Sequence, residues 1–149
     1  MSGYSRIVVA IDLSSESAPI IARATEVAAE GAEIHLIYVQ EPKDSVYLGV
    51  VPYGPVFVGM DQVEGRLRDE LRDKLRAHGE KFDIPESRQH FLSGTPAREI
   101  HRFAEENDIN LIVLGTHGQK GVQLLLGATA NSVLHGASCD VLAVRVLER

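Results

Sequence analysis

Asn110-Leu111-Ile112-Val113-Leu114-Gly115, continuing as Thr116-His117-Gly118-Gln119-Lys120-Gly121, is the stretch that decides the fold. Its aliphatic run shows no alternation of polar and apolar residues, which is the pattern of a strand buried on both faces in a parallel sheet. Glycines directly after such a strand let the backbone approach a ligand and turn N–H groups toward it. A helix predicted from about Gly127, with Gly136 as its stop, adds unpaired N–H groups and a partial positive charge at its start. Ligands of open α/β sheets bind at the carboxyl ends of the strands, where the strand order reverses.

The same alternation of strand and helix extends in both directions from this stretch. Upstream, Arg6-Ile7-Val8-Val9-Ala10-Ile11 reads as a first buried strand that stops at Asp12. Ser14 or Ser15 is expected to cap the following helix, and Glu16 suits its first turn. Ile20, Ala24, Val27 and Ala28 mark that helix's apolar face, and Gly31 its expected end. Glu33 to Val39 reads as the second strand. From Gln40 to about Met60 neither period holds. Val46 to Met60 carries no charge but contains Gly49, Pro52, Gly54, Pro55 and Gly59, so a long loop covering a site or a partner is expected.

Val63, Leu67, Leu71 and Leu75 then form the apolar stripe of a charged helix, with Glu64/Arg68 and Glu70/Lys74 at pairing distance in sequence. That stripe is core packing, since its spacing of four drifts around the helix. Ser87 to Leu92 reads as a short third strand, and Thr95-Pro96 as the cap and first position of the next helix, whose core side is Ile100, Phe103 and Ala104. Asp140 to Val146 is the last predicted strand.

Composition narrows the function. The chain has 149 residues, 44% hydrophobic and 24% charged, as expected of one globular domain spanning 1–149. No apolar run approaches the ~20 residues that a membrane-spanning helix needs. Met1 to Arg6 lacks the basic region and cleavage site of a signal peptide, which points to the cytoplasm. The net charge of −6 argues against nucleic acid as a partner. Backbone amides still suit an anionic small molecule. Cys139 is the single cysteine, without an internal disulfide partner or a metal cluster, and reads as an inert, partly buried thiol.

Gly115, Gly118 and Gly121 spell neither of the common phosphate-loop patterns. Spacing alone leaves two readings open, a nucleotide loop and a glycine-rich turn that serves close packing. The stretch from Ile112 to Arg145, containing VLGTHGQKGVQLLLGATANSVLHGASCDVLAVR, resembles the C-terminal signature of universal stress proteins. IVVAIDLSSES resembles that family's first strand ending in Asp, and SGTPAREI its turn before the third helix. The resemblance covers nearly the whole chain and implies an α/β fold, an open five-stranded parallel sheet of order 3-2-1-4-5 with helices on both faces, Rossmann-like.

It also implies an adenine nucleotide, ATP or AMP, with Mg²⁺ as a companion of the phosphates. Ala10, Ile11, Asp12 and Val39 would bound the adenosine. Gly115, Thr116, His117, Gly118, Gly127, Ala128 and Thr129 would surround the phosphates. ATP-binding members carry G-x2-G-x9-G-[ST]. Here eight residues separate Gly118 from Gly127, and Ala128 replaces the hydroxyl residue, with Thr129 next to it. In the implied order the last strand is an edge, so Val141, Leu142, Ala143, Val144, Arg145 and Val146 are expected to pair with their own copy in a homodimer.

Asp12 suits a ribose hydroxyl or a metal-bound phosphate, against a plain role in the turn. His117 and Lys120 suit a phosphate, against simple solvation. His35, His78, His90, His101 and His135 lack metal-ligand spacing and read as surface or packing residues. No Ser-His-Asp order, paired-carboxylate setting or HExxH motif occurs, so no enzyme is expected. Two alternatives to a nucleotide-binding stress protein stand beside it: a partner-binding regulatory module that needs no nucleotide, and a slow ATP hydrolase using Asp12 and His117.

Overall fold

The computed structural model describes residues 3–41, 60–116 and 128–146. The strands are β1 (Tyr4–Ala10), β2 (Ala28–Gln40), β3 (Gln89–Ser93), β4 (Leu111–Gly115) and β5 (Asp140–Val144). The helices among the described residues are α1 (Ser17–Val27), α2 (Met60–Lys81), α3 (Pro96–Glu106) and α4 (Ala128–Gly136), with a 3-10 turn at Glu86–Arg88. All ladders are parallel, and the sheet order is β3-β2-β1-β4-β5, as the resemblance implied.

Side-chain alternation along the strands divides the core into two layers. Ile7 and Val9 of β1, Ile11 just beyond it, Leu36 of β2 and Val113 of β4 face Ile20, Ile21 and Ala24 of α1 and Leu75 of α2. Val8, Ile37, Ile112 and Leu114 face Ile100 and Phe103 of α3 and Val133 of α4. Both faces of β1 and β4 are therefore dry, which is why their sequences run apolar without a break. Each such buried aliphatic side chain stabilises the fold by about 1.5–3 kcal/mol.

Several boundaries differ from the sequence reading. The first helix ends at Val27 rather than near Gly31, because Ala28 is already extended (φ −75°, ψ 141°) and pairs with Tyr4. The ladder then shifts, with Arg6 opposite Glu33, and Gly31 takes a φ of +76° inside this irregular stretch, where a left-handed backbone favours glycine. The glycine thus serves the start of a strand and not the end of a helix. The third strand begins at Gln89, after the 3-10 turn. Thr95 occupies the N-cap position of α3 and Pro96 its first turn, but the Thr95 side chain makes no capping bond. On α2, Leu75 is buried and Leu71 packs beside it as expected. Arg76 pairs with Asp73 and Glu86, whereas the ion pairs among the described residues do not include Glu70 with Lys74. The uncharged segment Val46 to 59, Val63 and Glu64 lie outside the described side chains.

The last strand stops at Val144, two residues before the expected end. Val144 turns inward at 7% exposure, Val141 and Leu142 are half-buried, and Ala143 is exposed. Arg145 and Val146 continue beyond the ladder. Among the described residues no helix is long and apolar enough to cross a membrane.

Candidate functional site

The chain passes through β1, β2 and β3 on one side of the sheet, then returns across β1 to place β4 and β5 on the other. The order reverses between β1 and β4, and in open α/β sheets such a reversal is where a ligand crevice is expected. Ala10 lies opposite Leu114, which brings Ala10-Ile11-Asp12 alongside Gly115-Thr116. On the other flank Ala10 lies opposite Ile37, so Val39 extends past the end of β1. Ala10 and Val39 pack on the α3 and α4 face, while Ile11 belongs to the opposite layer at 7% exposure.

Asp12 organises the loop that follows β1. Its Oδ1 accepts from the backbone N–H of Ser14 at 3.0 Å, from Ser14 Oγ at 2.6 Å and from the fully buried Ser17 Oγ at 3.4 Å. Ser14 Oγ in turn accepts from the Glu16 N–H at 3.2 Å. Glu16, not Ser14 or Ser15, occupies the N-cap position of α1, and it makes no side-chain capping bond. The serine is used to hold the carboxylate, one step before the helix, in the local turn that Asp and Ser favour. Between them Leu13 adopts φ +67°, a left-handed conformation uncommon for a leucine, and the residue is buried at 7% exposure.

His78 of α2 comes near this loop, where the Leu13 backbone and Asp12 act on its ring. Burial, and then the neighbouring Lys81, lower its pKa from the ordinary value, while Leu13 and Asp12 act in the opposite sense. The sequence reading left His78 among packing histidines, and its separation of more than sixty residues from Leu13 gives no spacing signal. Gln40, at 6% exposure, ends β2, and its carbonyl accepts from the Gly94 N–H at 3.0 Å. Gly94 has φ +144°, and a Cβ there would meet Glu99 at 3.0 Å, so glycine is required at this turn.

On the phosphate side, the Thr116 N–H donates to the Val144 carbonyl at 3.0 Å, which carries the pairing of β4 with β5 one residue past Gly115. Ala128 and Thr129 are exposed in the first turn of α4. Thr129 therefore offers a hydroxyl one position from where the family pattern has it. His117, Gly118, Lys120, Gly121 and Gly127 lie outside the described residues. The donor set that is described, the Asp12 carboxylate with the Ser14 hydroxyl beside it and the exposed Thr129 hydroxyl at the start of α4, suits a sugar hydroxyl and phosphate oxygens. It holds no group of three or more His, Cys, Asp or Glu arranged for a metal. A magnesium ion would therefore rest on Asp12 and the phosphates themselves. Burial, and then Asp140, raise the pKa of the Cys139 thiol, which fits the unreactive thiol read from the sequence.

The sequence profile of the Universal stress protein family matches residues 3–145. The chain is 40% identical over 146 residues to universal stress protein A homolog 1 of Coxiella burnetii, covering 97% of this chain and 99% of that protein. Among solved structures, the universal stress protein UspA from Lactobacillus plantarum superposes with a TM-score of 0.67 at 21% identity, covering 97% of this chain and all of that one (100%). A universal stress protein in complex with cAMP superposes with a TM-score of 0.58 at 22% identity, covering 97% and 98% of the two chains. The two structures share the fold; the profile and the Coxiella relative go further, and on them this chain belongs to the universal stress protein family.

Proposed function

We propose that this chain is a non-enzymatic, cytoplasmic stress-response protein that binds an adenine nucleotide, ATP or AMP, in the crevice between β1 and β4. The observation that carries the reading is the register of Ala10 with Leu114, which sets Asp12 and Gly115-Thr116 on the two lips of one opening at the point of strand reversal. The bonds that hold Asp12 all fall on Oδ1, so its second oxygen is the one to accept a ribose hydroxyl. Ala10 and Val39 supply the apolar floor for the base, Ile11 sets the backbone between Ala10 and Asp12 from the opposite layer, and the N–H groups of the Gly115 loop and the α4 start take the phosphates. That a related fold is solved with cAMP supports a nucleotide as the ligand class.

Mass spectrometry of the small molecules released from freshly purified protein tests this directly. ATP or AMP is expected at near-stoichiometric amount, and added nucleotide should raise the melting temperature. A protein that releases none, and whose melting temperature is unmoved by millimolar ATP, AMP or cAMP, overturns the reading.

One observation favours a second reading, a regulatory module that meets its protein partner without nucleotide. The loop is one residue shorter than the family's ATP pattern, and Ala128 lacks the hydroxyl. In either case β5 lies at the edge of the sheet, and its pairing with a second copy would satisfy the free backbone groups of both. Light scattering should report two chains for the wild type and one for Ala143→Pro, which removes an N–H that faces away from β4, since Val144 directs its own backbone groups to β4 at Gly115 and Thr116.

A further inference from the structure

Toward the amino end of the sheet, beneath α3, side chains from three neighbouring strands form one continuous line of bonds. Arg6 Nη1 donates to Glu33 Oε2 at 3.1 Å, His35 Nε2 meets Glu33 Oε1 at 2.9 Å, and His35 Nδ1 lies 3.0 Å from His90 Nε2. His35 is only 6% exposed. The two imidazoles stack with centroids 5.2 Å apart and planes 27° apart. Phe103 of α3 closes over both, at 5.5 Å from His35 and 4.5 Å from His90. None of these groups takes part in the crevice at the opposite end of the strands.

A direct bond between two imidazole nitrogens imposes a rule on protons. One nitrogen must donate and the other must accept, so the pair tolerates no added proton or one, and never two. Glu33 accepts only, which makes His35 Nε2 a donor. One added proton leaves that bond in place on either ring, because one of the two facing nitrogens still donates and the other accepts. A second proton sets N–H against N–H inside a packed layer.

We propose that His35 and His90 form a proton-operated latch between β2 and β3, which opens when acid charges both rings and so loosens β3 and α3 from the sheet.

The charged groups around the latch come from each neighbouring element. The first strand supplies Arg6, and β2 supplies Glu33. Arg88, before β3, donates to the Ile34 carbonyl at 3.1 Å and acts on Glu33. From α3 the contact is Phe103, while Arg102, Glu105 and Glu106 of that helix are exposed to solvent. Burial, and then the His35 ring, lower the pKa of His90 from its ordinary 6.5. A base with a lowered folded value binds more protons when unfolded. Its contribution is fully present above 6.5 and is lost as the pH falls from there through the folded value. Glu33 behaves separately: the bond from His35 lowers its pKa from 4.5, so its contribution is lost only in stronger acid.

Long-range ¹H–¹⁵N correlation spectra of the intact chain, recorded from about pH 8 to pH 5, read the rings directly around the ordinary histidine value. The His90 ring should titrate below 6.5. Amide-exchange protection of Gln89–Ser93 should fall relative to Leu111–Gly115 as both rings become charged. In His90→Phe, which keeps an aromatic ring against Phe103 but cannot titrate, that relative protection should not change over the same interval. The wild-type spectra decide alone if this variant does not fold. A His90 that titrates at or above 6.5, or β3 amides that stay equally protected once both rings are charged, overturns the latch.

Discussion

At the amino end of the sheet the polar groups find partners far away in sequence. The Arg6 N–H donates to Asn110 Oδ1 at 3.1 Å and Arg6 Nε to the Asn107 carbonyl at 2.9 Å, while the Asn110 N–H returns to the Arg6 carbonyl at 2.9 Å. Tyr4 donates to Asp140 at 2.8 Å, which ties β1 to the start of β5 across β4. At the carboxyl end, the side-chain bonds of Asp12 reach no further than Ser17 among the described residues, and His78 comes near from a distant element. The same strands thus end in two kinds of surface. One is closed by bonds between distant residues, and its side chains hold the strands together. The other is joined over distance by backbone bonds, Gly94 to Gln40 and Thr116 to Val144, while the side-chain bonds of Asp12 stay local and fall on one carboxylate oxygen among the described residues. Substitutions at the first should change stability without changing affinity, and substitutions at the second should do the reverse.

The largest effect is expected at the carboxyl end. Gly118→Val places a branched side chain in the loop assigned to the phosphates, displacing at least two charge-assisted bonds. Nucleotide affinity measured by calorimetry should fall by at least about a hundredfold, with an unchanged circular dichroism spectrum. Asp12→Asn keeps the size of the side chain and an acceptor for Ser14 but loses the charge. Its affinity should fall about tenfold, equivalent to about 1.4 kcal/mol. Equal affinity in both variants and the wild type would remove the distinction between the two ends.

Smaller effects belong to the amino end. Asn110→Ala removes the acceptor of the Arg6 N–H and a 3.0 Å bond to Ser5 Oγ. Urea unfolding should show a loss of about 1 kcal/mol, with nucleotide affinity unchanged. The Tyr4 hydroxyl is the smallest case. Its bond to Asp140 is the main cause that raises its pKa from 10.0, so its contribution is present below pH 10.0 and lost as the pH rises through the folded value. Melting temperatures between about pH 9 and 11 should decline more for the wild type than for Tyr4→Phe.

The carboxyl end was the more legible of the two. Asp12 and Gly115 interrupt continuous apolar runs, and each interruption marks where a buried strand stops. Two buried strands ending in small or acidic residues were enough to suggest the crevice, and the family resemblance supplied the strand order. The amino end was not legible, because its contacts join Arg6 to Asn110, Glu33 to Arg6 and His35 to His90. Periodicity reports which face a side chain takes but not which distant residue stands opposite. The misplaced end of α1 has a related cause. Ala28 fits the apolar spacing of the helix, and only its pairing with Tyr4, a tertiary contact, makes it extended.

The central position of β1 has a consequence in time. One of its neighbours, β4, begins at Leu111, about a hundred residues after β1 ends at Ala10. At ribosomal rates of about 5–20 residues per second, the completed first strand waits roughly 5–20 seconds for that neighbour to be made. During that interval β2 protects one side of β1, while the backbone groups that will face β4 stay unpaired beside a fully apolar run. The nascent chain is then most exposed to strand-mediated aggregation, and chaperones that shield apolar segments have the most to contribute at that stage. A shortage of such chaperones should therefore reduce the yield of this protein during its synthesis more than it disturbs molecules already folded.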